Sequence, residues 1–158
     1  MAIGRIYTIS FSKISVSLVQ DLWNVAATSS MAFELHSINL GAEGATSAEE
    51  VTISIVKMTA TVTNGTGGAS VTPAPISSSQ GGSTITARRN DSTTRASTNG
   101  TTTNLFYDTW QLTNGYIYQW APEDRLQFSL SQNMIIGLET APGAAHNVSG
   151  SITVAELI

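Results

Sequence analysis

No cysteine occurs in the chain, which excludes disulfides and thiolate metal sites. Charge is scarce as well. Asp, Glu, Lys and Arg make up 11% of the residues, where about a quarter is usual for a soluble domain. The basic sign is the scarcer one, with seven Lys and Arg against eleven Asp and Glu, for a net charge of −4. A nucleic-acid binder needs a basic stripe to neutralise phosphates, so no nucleic-acid partner is expected. No apolar run reaches the ~20 residues of a membrane span, so no membrane partner is expected either. The opening MAIGRIYTISFSK lacks the apolar core and small-residue cleavage site of a signal peptide, which predicts folding in a cytoplasm without processing. Histidine occurs twice, as His36 and His146, with no H-x-H or H-E-x-x-H spacing and no G-x-S-x-G elsewhere. No enzymatic activity, metal or cofactor is therefore expected.

Serine, threonine, asparagine and glycine take the place of charge, a composition common on β-proteins of large assemblies. The 158 residues suffice for one domain with a real core. Ile3 to Phe11 alternates, and Ile14, Val16 and Leu18 continue the alternation after Ser12-Lys13. Val19, Leu22, Trp23 and Ala26 then fall at helical spacing, predicting a turn or two of helix over Gln20 to Ala26, with a strand ending in a bulge as the rival. Met31 to Leu40 reads as a strand whose apolar face switches at His36-Ser37, predicting a bulge. Glu50 to Thr63 switches face midway, predicting a bulge or two-sided burial. Further strands run over Leu126–Leu130, Met134–Leu138 and Val148–Val154. Strands separated by about 8–12 residues with turn signals between them indicate a sandwich or barrel. The expected fold is all-β, a single jelly-roll-like β-sandwich over residues 1–158 with at most one short helix. Residues 64–82 and 89–100 read as long polar loops rich in glycine, proline and serine, loosely ordered or extended in the isolated chain.

Two of the three tryptophans and three of the four tyrosines lie in Asn104 to Leu130. Asn114-Gly115 is a strong type I′ hairpin signal. Pairing across it would place Phe106, Trp110, Leu112 and Ile117 on one face and Leu105, Tyr107, Tyr116, Tyr118 and Trp120 on the other. Both faces are apolar, and a sandwich has only one inside. Tyr107, Tyr116, Tyr118 and Trp120 are thus predicted to form an oligomer interface. Self-association is favoured over cover by loops of the same chain and over a sugar-stacking platform. A closed trimer is the expected form. Arg88, Arg89 and Arg95 form a basic cluster, read either as a solvated loop or as a dock for an acidic protein surface. Glu123, Asp124 and Arg125 read as a turn capped by an ion pair.

The chain also resembles a family of small virion structural proteins of tailed bacteriophages and prophages. The resemblance rests on spaced motifs: a strand around Tyr7, Gln20-Asp21-Leu22-Trp23, Leu40-Gly41, the Gly65 to Gly68 turn leading to Thr72-Pro73-Ala74-Pro75, the aromatic hairpin, and Pro122-Glu123-Asp124-Arg125. It ends with Gly137-Leu138-Glu139-Thr140-Ala141-Pro142 and Val148-Ser149-Gly150-Ser151-Ile152, followed by acidic Glu156. The resemblance implies a virion protein without catalytic residues. The expected role is a head decoration or cement protein, bound to the major capsid protein as a homo-oligomer and made in the host cytoplasm. The alternative is a host- or glycan-binding module on a tail or fibre that uses the two polar loops.

Overall fold

The computed structural model describes residues 4–157; the expected strand start at Ile3 lies outside them. In β1 (Ile6–Val16), Tyr7, Ile9 and Phe11 are buried while Ser10 and Ser12 face water. Strict alternation would then turn Ile14 and Val16 outward. Instead Lys13 takes a left-handed φ of 52°, and pairing with β14 (His146–Leu157) skips from Phe11↔Gly150 to Ile14↔Val148. The bulge returns Ile14 and Val16 to the core. The same device acts in β3 (Ala32–Glu43). There Leu35 pairs Val154 and Ser37 pairs Thr153, leaving His36 as the extra residue. Phe33, Leu35, Ile38 and Leu40 consequently all point inward.

Gln20–Ala26 is a strand, β2, not a helix. Its register with β13 (Asn133–Leu138) jumps from Trp23↔Ile136 to Asp21↔Gly137, so Leu22 is extra. The bulge places neighbouring Leu22 and Trp23 in the same core. That is why the apolar spacing imitates a helix.

With β4 (Glu50–Met58), β10 (Thr102–Gln111), β11 (Tyr116–Gln119) and β12 (Leu126–Phe128), the long strands form two antiparallel sheets. The first is ordered β1-β14-β3, with β11 and β12 both paired to β3. The second is ordered β2-β13-β4-β10. Consecutive long strands cross between the sheets, except β4 and β10, which lie side by side in the second. This is the winding of a jelly roll with β11 and β12 acting as one interrupted strand. Tyr7, Trp23, Phe33, Ile53, Trp110 and Phe128 fill the space between the sheets. The interruption is a 3-10 turn at Pro122–Asp124, and Arg125 pairs there with Glu34 rather than with its neighbours.

The polar central region is built into both sheets. Its strands are β5 (Val62–Thr63), β6 (Ala69–Val71), β7 (Ala74–Pro75), β8 (Thr86–Asp91) and β9 (Ser97–Thr98). β8 extends the second sheet beyond β2 and carries β6, while β7 adds to β1. β5 and β9 pair with each other. Val62 and Ala96 pack with Val56, Met58 and Ile135 in a second, small apolar cluster. This explains the change of face along β4: Ile53 and Ile55 meet the main core, while Val56 and Met58 meet the arm.

The aromatic segment corrects the hairpin expectation. β10 pairs with β4 and β11 with β3, so the connection through Asn114-Gly115 crosses from one sheet to the other. Neither residue has a positive φ, as a type I′ turn requires. The turn is instead closed by Asn114 N–H to the Gln111 carbonyl at 3.0 Å, and Trp110 Nε1–H donates to the Asn114 carbonyl at 2.8 Å. The crossing satisfies burial where a hairpin would not. It puts Trp110 and Leu112 on one wall of the core and Tyr116 and Trp120 on the other. Gly115 therefore needs no special backbone, and a Cβ there would meet nothing nearer than the Leu40 carbonyl at 3.9 Å. Gly115→Ala should change stability by less than about 1 kcal/mol in urea denaturation. A larger loss would restore a turn that needs positive φ.

Candidate functional site

The three arginines do not form one basic patch. Arg95, on the arm between β8 and β9, reaches back across the second sheet. Its Nε donates to Asp21 Oδ1 at 2.7 Å, and its two terminal nitrogens donate to the Glu139 carboxylate at 2.8 Å each. Asp21 is fully buried on β2 and also accepts the Ala96 N–H at 2.7 Å. Ser54 Oγ on β4 donates to Glu139. Gly137 leaves the room for the guanidinium, since a Cβ there would stand 2.6 Å from Arg95 Nη2. Burial lifts the Asp21 carboxyl above its ordinary range against the opposing Ala96 N–H and Arg95. The hydrogen bonds from Arg95 hold Glu139 below its ordinary value. Burial works against the Arg95 cation, but Glu139 and Asp21 outweigh it and raise its pKa. A cleft of about 260 Å³ lies beside this network, lined by Asp21, Arg95, Glu139, Met58, Asn104 and Tyr107.

Arg88 is engaged as well, with Nε at 3.2 Å and Nη2 at 2.7 Å from the buried Asp91 carboxylate. Arg89, half-buried on β8, has no ion-pair partner among the described residues. Of the three candidate docking cations, two are thus neutralised within the chain.

The aromatic set divides likewise. Tyr116 and Trp120 belong to the core. The Tyr116 hydroxyl donates to Asp108 Oδ2 at 2.9 Å, and burial together with that carboxylate raises its pKa well above the ordinary tyrosine value. Tyr118 sits at the seam where β10 and β11 border the two sheets, its ring 4.8 Å from Phe106 and 4.6 Å from Trp120. Phe106, assigned from sequence to the opposite face, completes this trio. Tyr107 alone points away from the core on β10 and is 55% exposed. The three tyrosines and one tryptophan expected on a single interface face are therefore parted by the sheet crossing.

A second anchor was not legible as a site. Glu156, fully buried on β14, accepts Ser83 Oγ at 2.9 Å, Thr84 N–H at 2.5 Å and Ile85 N–H at 3.2 Å through Oε1. Arg5 Nε lies 3.5 Å from Oε2. The Tyr7 hydroxyl donates to the Gly81 carbonyl at 3.0 Å. The signal in the sequence is a carboxylate within an apolar strand, the pattern that also marks Asp21 in QDLWNVA. His36 pairs with Glu34 at 2.7 Å, and His146 with Glu49 at 3.2 Å. Neither histidine joins a group of three potential metal ligands among the described residues. No protein-family model, no curated protein and no solved structure matches the chain.

Proposed function

We propose that the protein is a structural component of a phage virion, a decoration protein that binds the capsid shell as a homo-oligomer. One observation carries this reading. The groups capable of chemistry, Asp21, Arg95, Glu139 and Glu156, are tied into staples that hold the arm to the jelly roll. What remains for contact is a surface of small polar residues with scattered exposed apolar side chains, such as Leu18, Ile76, Ile117 and Leu130, and an open sheet edge, which suits assembly. The apolar face that argued for self-association is reduced to Tyr107 and Tyr118, because Tyr116 and Trp120 lie inside. The test is abundance in purified particles. A decoration protein should approach the copy number of the major capsid protein and label the head. A few copies confined to a tail would overturn the reading. That outcome would favour a host- or glycan-binding module, for which the arm offers a polar cleft of about 380 Å³ lined by Asn64, Ser70, Thr72, Pro73, Ser83 and Arg88.

A further inference from the structure

A sheet edge is a row of unpaired backbone groups that can template another strand. Three of the four edges here are blunted. β7 is two residues long, ends in Pro75, which has no N–H, and covers only Tyr7 and Thr8; the rest of that edge, β1 from Ile9 to Val16, is broken by the bulge at Lys13. β6 has three residues. β11 and β12 are parted by the 3-10 turn. β10, with ten residues, borders the second sheet without proline or lysine.

Hydrogen-bond phase shows which of its groups are free. Leu112 N–H donates to the Glu49 carbonyl at 2.9 Å, continuing the ladder beyond Gln111↔Glu50. In an antiparallel pair, alternate residues bond to the same neighbour. Trp110, Asp108 and Phe106 therefore bond to β4, and Gln111, Thr109 and Tyr107 turn their backbone groups to the edge. Two of these three are capped locally: the Gln111 carbonyl by Asn114 N–H at 3.0 Å, and Thr109 N–H by Asp108 Oδ1 at 2.8 Å. Towards the strand's start, the bulge at Leu105 shifts the register between Asn104 and Phe106. Tyr107 is left with both backbone groups open and an exposed side chain.

We propose that two copies of the chain join β10 to β10 about a two-fold axis at Tyr107, merging their second sheets into one. This deepens the homo-oligomer reading above and rests on it. A second copy fits because the arrangement complements itself. Tyr107 faces the second copy's Tyr107 and exchanges N–H···O bonds with it, while their rings pair across the axis on the outer face. Thr109, with its carbonyl free, falls opposite the second copy's Leu105. The strand's single charge, Asp108, already accepts from the Tyr116 hydroxyl and Thr109 N–H and falls opposite the second copy's Phe106, so no like charges meet. A strongly acidic or basic peptide would gain no such match. The apolar seam of Phe106 and Tyr118 flanks the same edge. Two-fold pairing also closes, which avoids the fibres that an open edge otherwise invites.

The test uses the full chain and its lack of cysteine. Directly opposed residues of a hydrogen-bonded pair lie about 5.5 Å apart at Cα, within the usual disulfide span of about 4.4–6.8 Å. Oxidised Tyr107→Cys should give a crosslinked dimer in high yield, whereas Ile117→Cys, more exposed but off the axis, should not. Light scattering across a dilution series should show dimers for the wild type and at least tenfold weaker association for Tyr107→Lys, which sets two cations face to face. Tyr107→Pro, which removes a donor with no partner in the monomer, should act likewise. A wild type that stays monomeric at high concentration overturns both self-association and this interface. A wild type that associates while Tyr107→Lys associates equally well, or while Tyr107→Cys fails to crosslink, overturns the edge pairing alone.

Discussion

Arg95→Met should destabilise the fold by about 3–5 kcal/mol, the cost of leaving a buried charge without its partner. Most of that loss belongs to Asp21. Glu139 is 31% exposed at its side chain and regains water when the guanidinium is gone, whereas Asp21 is 1% exposed and does not. The loss should depend on pH with a definite sign. In the wild type Glu139 has a lowered pKa, so its contribution is present at neutral pH and is lost as pH falls through its folded value. Asp21 has a raised pKa, so its ionised form costs stability, and that cost is relieved as pH falls through its folded value. Without Arg95, the Glu139 contribution fades and the Asp21 cost grows. The gap between wild type and variant should therefore be smallest in acid and widen as pH rises, first between the lowered and the ordinary value of Glu139 and then above the raised wild-type value of Asp21. Urea denaturation at acid and neutral pH measures it. Asp21→Asn added to Arg95→Met should recover part of the loss at neutral pH. A constant gap, or no recovery, would mean that Arg95 acts through packing of its stem and not through charge.

The parts of this fold that could be read from sequence are those where one side-chain pattern had one physical cause. Tyr7, Ile9 and Phe11 alternate because only one side of β1 meets the core, and that alternation is visible as written. The bulge at His36 was legible because the apolar face changed parity while the run stayed apolar. The crossing at Asn114-Gly115 was not, because the dipeptide carries local turn preference and no information about which sheet the next strand joins. That choice was made by the core, which draws Trp110 and Tyr116 inward from opposite walls. Alternation was right over Phe106–Trp110 and Tyr116–Trp120 but failed at the Leu105 bulge, where Leu105 and Phe106 both pack on the core; the pairing between these strands was not right. Leu22 was misread for a related reason, since a bulged strand can repeat the spacing of a helix. The staples were the least legible. Asp21, Arg95 and Glu139 come from three distant stretches, and Arg95 looked like a loop cation because its carboxylates lie 74 and 44 residues away.

Glu156→Ala should cost about 3 kcal/mol or more, since hydrogen bonds to a charged group contribute about 1.5–3 kcal/mol each and are not additive. The carboxylate is fully buried and is the acceptor for Thr84 N–H, Ile85 N–H and the Ser83 hydroxyl. Alanine leaves two backbone donors near the core with no acceptor and deprives Arg5 of its partner. The Thr84 and Ile85 donors then find water only if residues 76–85 lift away from the sheets. Lifting would also break the bond from Tyr7 to Gly81 and strain the short β7 pairing to β1. Under native conditions the variant should thus be cut by protease within 76–85, while the wild type resists as a free chain. This reverses what glycine, proline and serine content alone predicts for residues 64–82, namely loose order in the isolated chain. Glu156→Gln separates shape from charge. Its amide oxygen can still accept the loop donors, but its amino group meets the Arg5 guanidinium, so an intermediate loss of about 1–2 kcal/mol is expected. Denaturation midpoints and cleavage sites for the three chains decide the matter. A free wild type cleaved at 76–85 as readily as Glu156→Ala would show that the carboxylate does not hold the loop.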